Sequence, residues 1–218
     1  MKKAIIFDMD GVLIDSQPLH FEVDKLVLHQ VDYPAQGKDV EKYAGMSNAD
    51  RWAKYKKDYE LQATIEELTA AHVAALKDLF GNREDLKPID GILPLLQMLK
   101  ERGLSMSVAS SSSYDFVYMV LDKLNIADYF DLVVSGEDMP KSKPEPDIFL
   151  ATAQKHGCSV EECIVIEDSK NGVLAAKAAH MKCIGYINPT SGEQDISMAD
   201  LIIDDFACLL EDVHWLTD

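Results

Sequence analysis

Side chains able to do chemistry recur at the ends of apolar runs. Asp8 and Asp10 follow "AIIF" in "AIIFDMDGVLIDS", Ser110 closes "LSMSVAS", Lys143 sits in "KSKPEPDIF", and Glu167 and Asp168 end "CIVIED". Carboxylates gathered past buried strands repel one another unless a cation neutralises them, and oxygen donors without His or Cys suit Mg²⁺. A serine and a lysine facing such a cluster suit a transferring phosphoryl group, whose equatorial oxygens need compensated charge. Each acidic residue taken alone is better read as a solvated loop or a helix cap. Only their joint placement points to chemistry.

That placement depends on the elements between them. Six β-rich runs occur: "KAIIF", "LSMSVAS", "DLVVSG", "CIVIED", "KCIGYI" and "DLIIDD". From Gly91 onward they alternate with helical patterns, as in "GILPLLQMLKERG", "SYDFVYMVLDKLN", "PDIFLATAQKHG" and "NGVLAAKAAHM". Continuous apolar strands alternating with helices predict an α/β fold, a Rossmann-like doubly wound parallel sheet covered on both faces. Gly103 and Gly157 follow helical runs as C-terminal caps do. In such a sheet ligands bind beyond the carboxyl ends of the strands, where these polar residues fall.

Between Pro18 and Lys87 no strand pattern occurs. Leu19, Val23, Leu26 and Val27 follow helical spacing. Ser47 with Asp50, and Thr64 with Glu67, match the signature of a helix start. An all-helical domain over residues 16–87 is therefore predicted to interrupt an α/β domain made of 1–15 and 88–218. Asp15 and Ser16 end the acidic turn and begin the connection, and Asp204 and Asp205 are expected to cap a final helix.

Composition narrows the partners. The chain has 218 residues, 47% hydrophobic and 27% charged, and a formal net charge of −17. Phosphate backbones are held by Lys and Arg patches, so this balance argues against nucleic acid. No apolar run is long enough to span a bilayer or to read as a secretory signal, so no membrane partner and a cytoplasmic location are expected. Cys158, Cys163, Cys183 and Cys208 show no paired spacing and read as buried free thiols. No dimer seam is visible, and a monomer is the default.

Asp8-x-Asp10-Gly11-Val12-x-x-Asp15-Ser16, Ser110 ending a strand, Lys143 before Pro144, and Glu167-Asp168 after another strand resemble, in order and spacing, the four motifs of the haloacid dehalogenase-like phosphotransferases. The resemblance spans essentially the whole chain, with the helical insertion in the place of that family's cap. It implies Asp8 as nucleophile, Asp10 as general acid and base, and Ser110 and Lys143 as holders of the phosphoryl oxygens. Ser111 and Ser112 are further candidates for substrate contact. It implies Mg²⁺ held by Asp8, the backbone carbonyl of Asp10 and Asp168, with Glu167 as a ligand through water or as a supporting group. The expected partner is a small phosphorylated metabolite, hydrolysed by a phosphatase; the alternative is a phosphohexomutase similar to beta-phosphoglucomutase.

The helical segment bears on that choice. His20 matches a histidine that the mutase places near its general acid, or is a plain helix-surface imidazole. Asn48, in "GMSNAD", stands where the mutase carries a phosphate-binding arginine. Arg51, three residues on, shares a helix face with Asn48 and could supply the missing cation, unless it is a solvated surface charge. The same two readings hold for Lys77.

Overall fold

The computed structural model describes residues 4–43 and 48–217. Two compact units divide the chain: Met1–Asp15, Asp85–Pro189 and Gln194–Asp218 form the first, Ser16–Glu84 and Thr190–Glu193 the second.

The first unit is built on six strands: β1 (Ala4–Phe7), β2 (Ser105–Ser110), β3 (Leu132–Ser135), β4 (Cys163–Glu167), β5 (Lys182–Tyr186) and β6 (Leu201–Ile203). They form one parallel sheet in the order β3-β2-β1-β4-β5-β6. Every residue of β1 and β4 is buried, as the unbroken apolar runs require of strands covered on both faces. Ile6 and Val165 join one apolar cluster with Phe149 and Val173, from the helices Asp147–His156 and Lys170–Ala178. Alternation turns Phe7 to the opposite face, where its ring meets Phe130 edge-on at 5.8 Å. Gly103 and Gly157 have φ of +69° and +65°, the left-handed conformation of a helix stop. Asp205 Oδ1 accepts the Ala207 N–H at 2.8 Å, at the start of the helix Ala207–Glu211. Cys163 and Cys183 are buried free thiols as expected, but Cys158 is only partly covered and Cys208 is exposed.

The second unit contains α1 (Gln17–Gln30), α2 (Gly37–Glu41), α3 (Asn48–Asp58) and α4 (Ile65–Asn82). Thr64 and Glu67 cap α4 reciprocally: Glu67 N–H donates to Thr64 Oγ1 at 3.1 Å, and Thr64 N–H to Glu67 Oε2 at 2.8 Å. Ser47, the other expected cap, lies outside the described residues. The buried side of α1 holds Leu19, Val23, Asp24, Val27 and Leu28, whereas Leu26 is 48% exposed. A charged residue has taken a core position, and the apolar pattern misassigned Leu26 because it counted only apolar side chains. No helix among the described residues is long and apolar enough to cross a membrane.

Ile6 is fully buried at the sheet centre. Ile6→Ala is expected to cost about 2–5 kcal/mol, read as a lower urea midpoint with an unchanged slope.

Candidate active site

The site grows from the centre of the sheet. Strands are added from β1 towards β3 on one side and from β4 towards β6 on the other, so the chain reverses between β1 and β4. The crevice beyond such a reversal is where open α/β sheets bind ligands. Asp8 prolongs the β1 ladder by one bond, its N–H donating to the Ile166 carbonyl at 3.0 Å. The backbone then folds on itself. The Met9 carbonyl accepts from the amides of Val12, Leu13 and Ile14 at 3.3, 2.9 and 3.2 Å, while Gly11 N–H donates to the Ile14 carbonyl at 2.8 Å.

Gly11 is required here for two reasons. Its φ of +85° strains any L side chain. A Cβ would also overlap the Asp168 carboxylate, which therefore lies directly over this turn. Asn188 Nδ2–H also pins this residue, donating to the Gly11 carbonyl at 3.1 Å.

Lys143 ties the two central strands together. Its Nζ donates to Asp8 Oδ1 at 2.5 Å, Glu167 Oε1 at 2.7 Å and the Ala109 carbonyl at 3.2 Å. The other Glu167 oxygen accepts from Ser169 N–H at 2.8 Å and Ser169 Oγ–H at 2.9 Å. Ser169 is in turn the N-cap of the following helix, accepting the Gly172 N–H at 3.0 Å. A side chain at Gly172 would collide with the Glu167 carboxylate, so the helix can approach only as glycine. Glu167 is thus held at both oxygens by protein groups.

The serines form a second rim. Ser110 is buried at the end of β2, and its Oγ accepts the Ser112 N–H at 3.1 Å. Ser112 Oγ–H donates to Asp10 Oδ2 at 3.3 Å, and the Ser112 carbonyl accepts from Ser135 Oγ at 2.7 Å. Ser111 is exposed and packs its backbone close to Gly136. The first unit therefore assembles Asp8, Asp10, Ser110, Ser112, Lys143, Glu167 and Asp168 along one edge of its sheet.

Charge is unevenly balanced there. Burial pushes the Asp8 carboxyl up to about 7; Lys143 opposes that rise, while Glu167 and Asp10 add to it. Burial would lower the Lys143 ammonium, but Asp8 and Glu167 outweigh it and raise its pKa. One ammonium does not satisfy so many carboxylates, so a further cation fits the cluster. No group of three or more His, Cys, Asp or Glu side chains converges as a metal cage among the described residues. Asp8 and Asp168, whose carboxylate lies against the Gly11 turn, are oxygen donors that could hold a divalent metal.

In the second unit the expectations for Arg51 need correction. It is 3% exposed, with Nε 2.8 Å from Asp24 Oδ2 and Nη2 donating to Asn48 Oδ1 at 2.5 Å. It is neither a solvated charge nor an open phosphate fork, because a buried carboxylate on α1 holds it. Asn48 starts α3 with its carbonyl oxygen on that guanidinium. His20 is half-buried, with Nδ1 3.2 Å from His72 Nε2.

Residues 5–186 match the description of the haloacid dehalogenase-like hydrolases. The chain belongs to this family. Among relatives of this hydrolase, hexitol phosphatase B of Escherichia coli (strain K12) is 33% identical over 186 residues, covering 83% of this chain and 82% of its own. Beta-phosphoglucomutase of Bacillus subtilis (strain 168) is 31% identical over 221 residues, covering 92% and 88%. The crystal structure of beta-phosphoglucomutase from Clostridium difficile superposes with a TM-score of 0.78 at 25% identity, covering 96% of this chain and 93% of that one.

Sequence reasoning on this hydrolase missed Asn188, Ser169, Asp24 and His72. Asn188 was findable, since it stands just past β5 at the carboxyl edge of the sheet. Asp24 carried no signal beyond breaking an apolar stripe.

The Asp8 shift has a testable sign. A carboxyl whose folded pKa is raised from 3.8 to about 7 stabilises the fold at low pH and withdraws that contribution as pH climbs through 7. In metal-free buffer Asp8→Asn is expected to raise the Tm at about pH 8 and to flatten its fall from about pH 5. Parallel melting curves for both proteins would place the excess charge elsewhere.

Proposed function

We propose that this hydrolase is a Mg²⁺-dependent phosphatase of small phosphorylated metabolites, sugar or sugar-alcohol phosphates in particular, working through an aspartyl-phosphate on Asp8. The observation that carries the reading is the Asp8 carboxylate itself. It is buried at the reversal point of the sheet and bonded to Lys143 at 2.5 Å, with Asp10 two residues on across a tight turn. The named activities of hexitol phosphatase B and its kin support the ester class.

In the first half-reaction Asp8 Oδ attacks phosphorus, the P–O bond to the alcohol breaks, and protonated Asp10 gives its proton to the departing oxygen. In the second, water attacks the phosphoryl group while Asp10 takes a proton from it. Inorganic phosphate leaves and the Asp8 carboxylate is restored. Lys143 and Ser110 hold the phosphoryl oxygens, and Ser112 orients the Asp10 carboxyl through its 3.3 Å bond. Ser111 contributes through its backbone. Glu167 fixes Lys143 in place. Asp8, the Asp10 carbonyl and Asp168 would hold Mg²⁺, which when bound offsets the charge of the carboxylates and of the transferring group. In the helical unit, His20 and Asn48 are the residues we assign to the organic part of the substrate.

The mutase reading rests on the match to beta-phosphoglucomutase. A mutase must also grip a distal phosphate, and here an amide replaces the expected arginine while Arg51 is held by Asp24. That favours water as the acceptor.

Asp8→Asn is expected to abolish phosphate release from sorbitol 6-phosphate and glucose 6-phosphate while the protein stays folded; retained turnover would remove the covalent route. EDTA should silence the native enzyme and Mg²⁺ restore it, and turnover indifferent to both would contradict the assignment of Asp168. In a parallel coupled assay, beta-glucose 1-phosphate with a bisphosphate primer should give free phosphate and no glucose 6-phosphate. Efficient isomerisation without release would make the protein a mutase.

A further inference from the structure

The short segment that carries Ser112 is held by the strand next to it. Residues 111–113 link β2 to the helix Tyr114–Lys123, whose own N-cap residue, Ser113, makes no side-chain cap bond. The acceptor for this helix start comes from the end of β3. There the chain turns over Gly136–Asp138, and the Glu137 carboxylate accepts the Tyr114 N–H at 3.1 Å while Asp138 Oδ2 accepts the Tyr114 hydroxyl at 2.8 Å. Gly136 lets the two segments touch. A Cβ at that position would stand 3.1 Å from Ser111 Cα, inside the roughly 3.5–4.0 Å of ordinary carbon contact.

Ser135 is the inner end of this clamp. It is fully buried and lies opposite Ser110 in the register of β2 and β3. A carbonyl can only accept, so the 2.7 Å contact with the Ser112 carbonyl is made by the hydrogen of the Ser135 hydroxyl. The Glu137 N–H donates to the same hydroxyl oxygen at 3.1 Å, which leaves that hydrogen for the carbonyl. Ser112 is tied on its other side as well, its N–H donating to Ser110 Oγ at 3.1 Å. Both peptide groups of Ser112 are thus fixed, and from that backbone its Oγ–H reaches Asp10 Oδ2 at 3.3 Å. Ser110 is held by the strand ladder itself; Ser112 lies beyond the ladder and depends on the clamp.

We propose that Ser135 is a positioning residue for Asp10: its hydroxyl holds the Ser112 backbone so that the Ser112 hydroxyl bonds the carboxyl that protonates the leaving alcohol. The clamp is a property of the sheet unit alone; its effect on turnover rests on the phosphatase reading.

Amide hydrogen exchange followed by NMR tests the clamp without turnover. In Ser135→Ala the Ser112 amide is expected to exchange about tenfold faster than in the native protein, with the Val108 amide inside β2 unchanged. Equal protection of Ser112 in both proteins would overturn the clamp. In turnover, Ser135→Ala should lower kcat/KM for sorbitol 6-phosphate about tenfold but for p-nitrophenyl phosphate by less than about twofold, since nitrophenolate leaves without needing a proton. Ser112→Ala should lower the sorbitol 6-phosphate value at least as much, and adding Ser135→Ala to it should cost nothing further. Losses that multiply in the double variant, or that are equal on both esters, would make Ser135 a packing residue and refute the proposal. Should Ser135→Ala fail to fold by circular dichroism, Ser135→Cys, which keeps a side chain of similar size with only a weak donor, carries the same expectations. If the native protein hydrolyses neither ester, the phosphatase reading fails while the exchange measurement still judges the clamp.

Discussion

One ammonium group holds the chemistry of the sheet unit together. Lys143 reaches from the loop after β3 to carboxylates on the two central strands, Asp8 and Glu167, and to the Ala109 carbonyl on β2. These contacts cross-link three adjacent strands at their carboxyl ends. A buried ammonium in that position is stable only because carboxylates flank it, and they are tolerable together only because it is there. The serine N-cap behind Glu167 and the glycine that lets its helix approach keep that carboxylate from turning away. Site geometry and strand packing are thus the same set of contacts.

The helical unit solves a related problem by other means. Its core accepts a carboxylate and surrounds it with a guanidinium, a phenol and an imidazole. Removing Arg51 would leave the buried Asp24 charge uncompensated, which is strongly destabilising. Here the contacts run from Arg51 and Tyr55 through Asp24 and His72 to His20.

Much of this was legible in the sequence, for particular reasons. The six strands announced themselves because both faces of the sheet are covered, which forces unbroken apolar runs such as "CIVI". Asp8, Asp10, Ser110, Lys143, Glu167 and Asp168 were visible because each falls at the end of such a run or in the loop that follows one. Arg51 was misread because helical spacing says which face a residue occupies, not whether a carboxylate waits there. Asp24 and His72 stayed hidden for the same reason, since they are 48 positions apart and meet only through packing of α1 against α4. Leu26 was assigned inward because a buried aspartate had displaced the stripe.

The turn after β1 carries a constraint of another kind. Three amides converge on the Met9 carbonyl while Gly11 closes back on Ile14, and Asn188 donates to the Gly11 carbonyl. No slack remains in the backbone between Asp8 and Ile14. Lineages descended from this chain can therefore lengthen or shorten their surface loops, but a single residue gained or lost between the two aspartates would break the whole knot, which makes this segment a fixed ruler amid drifting lengths.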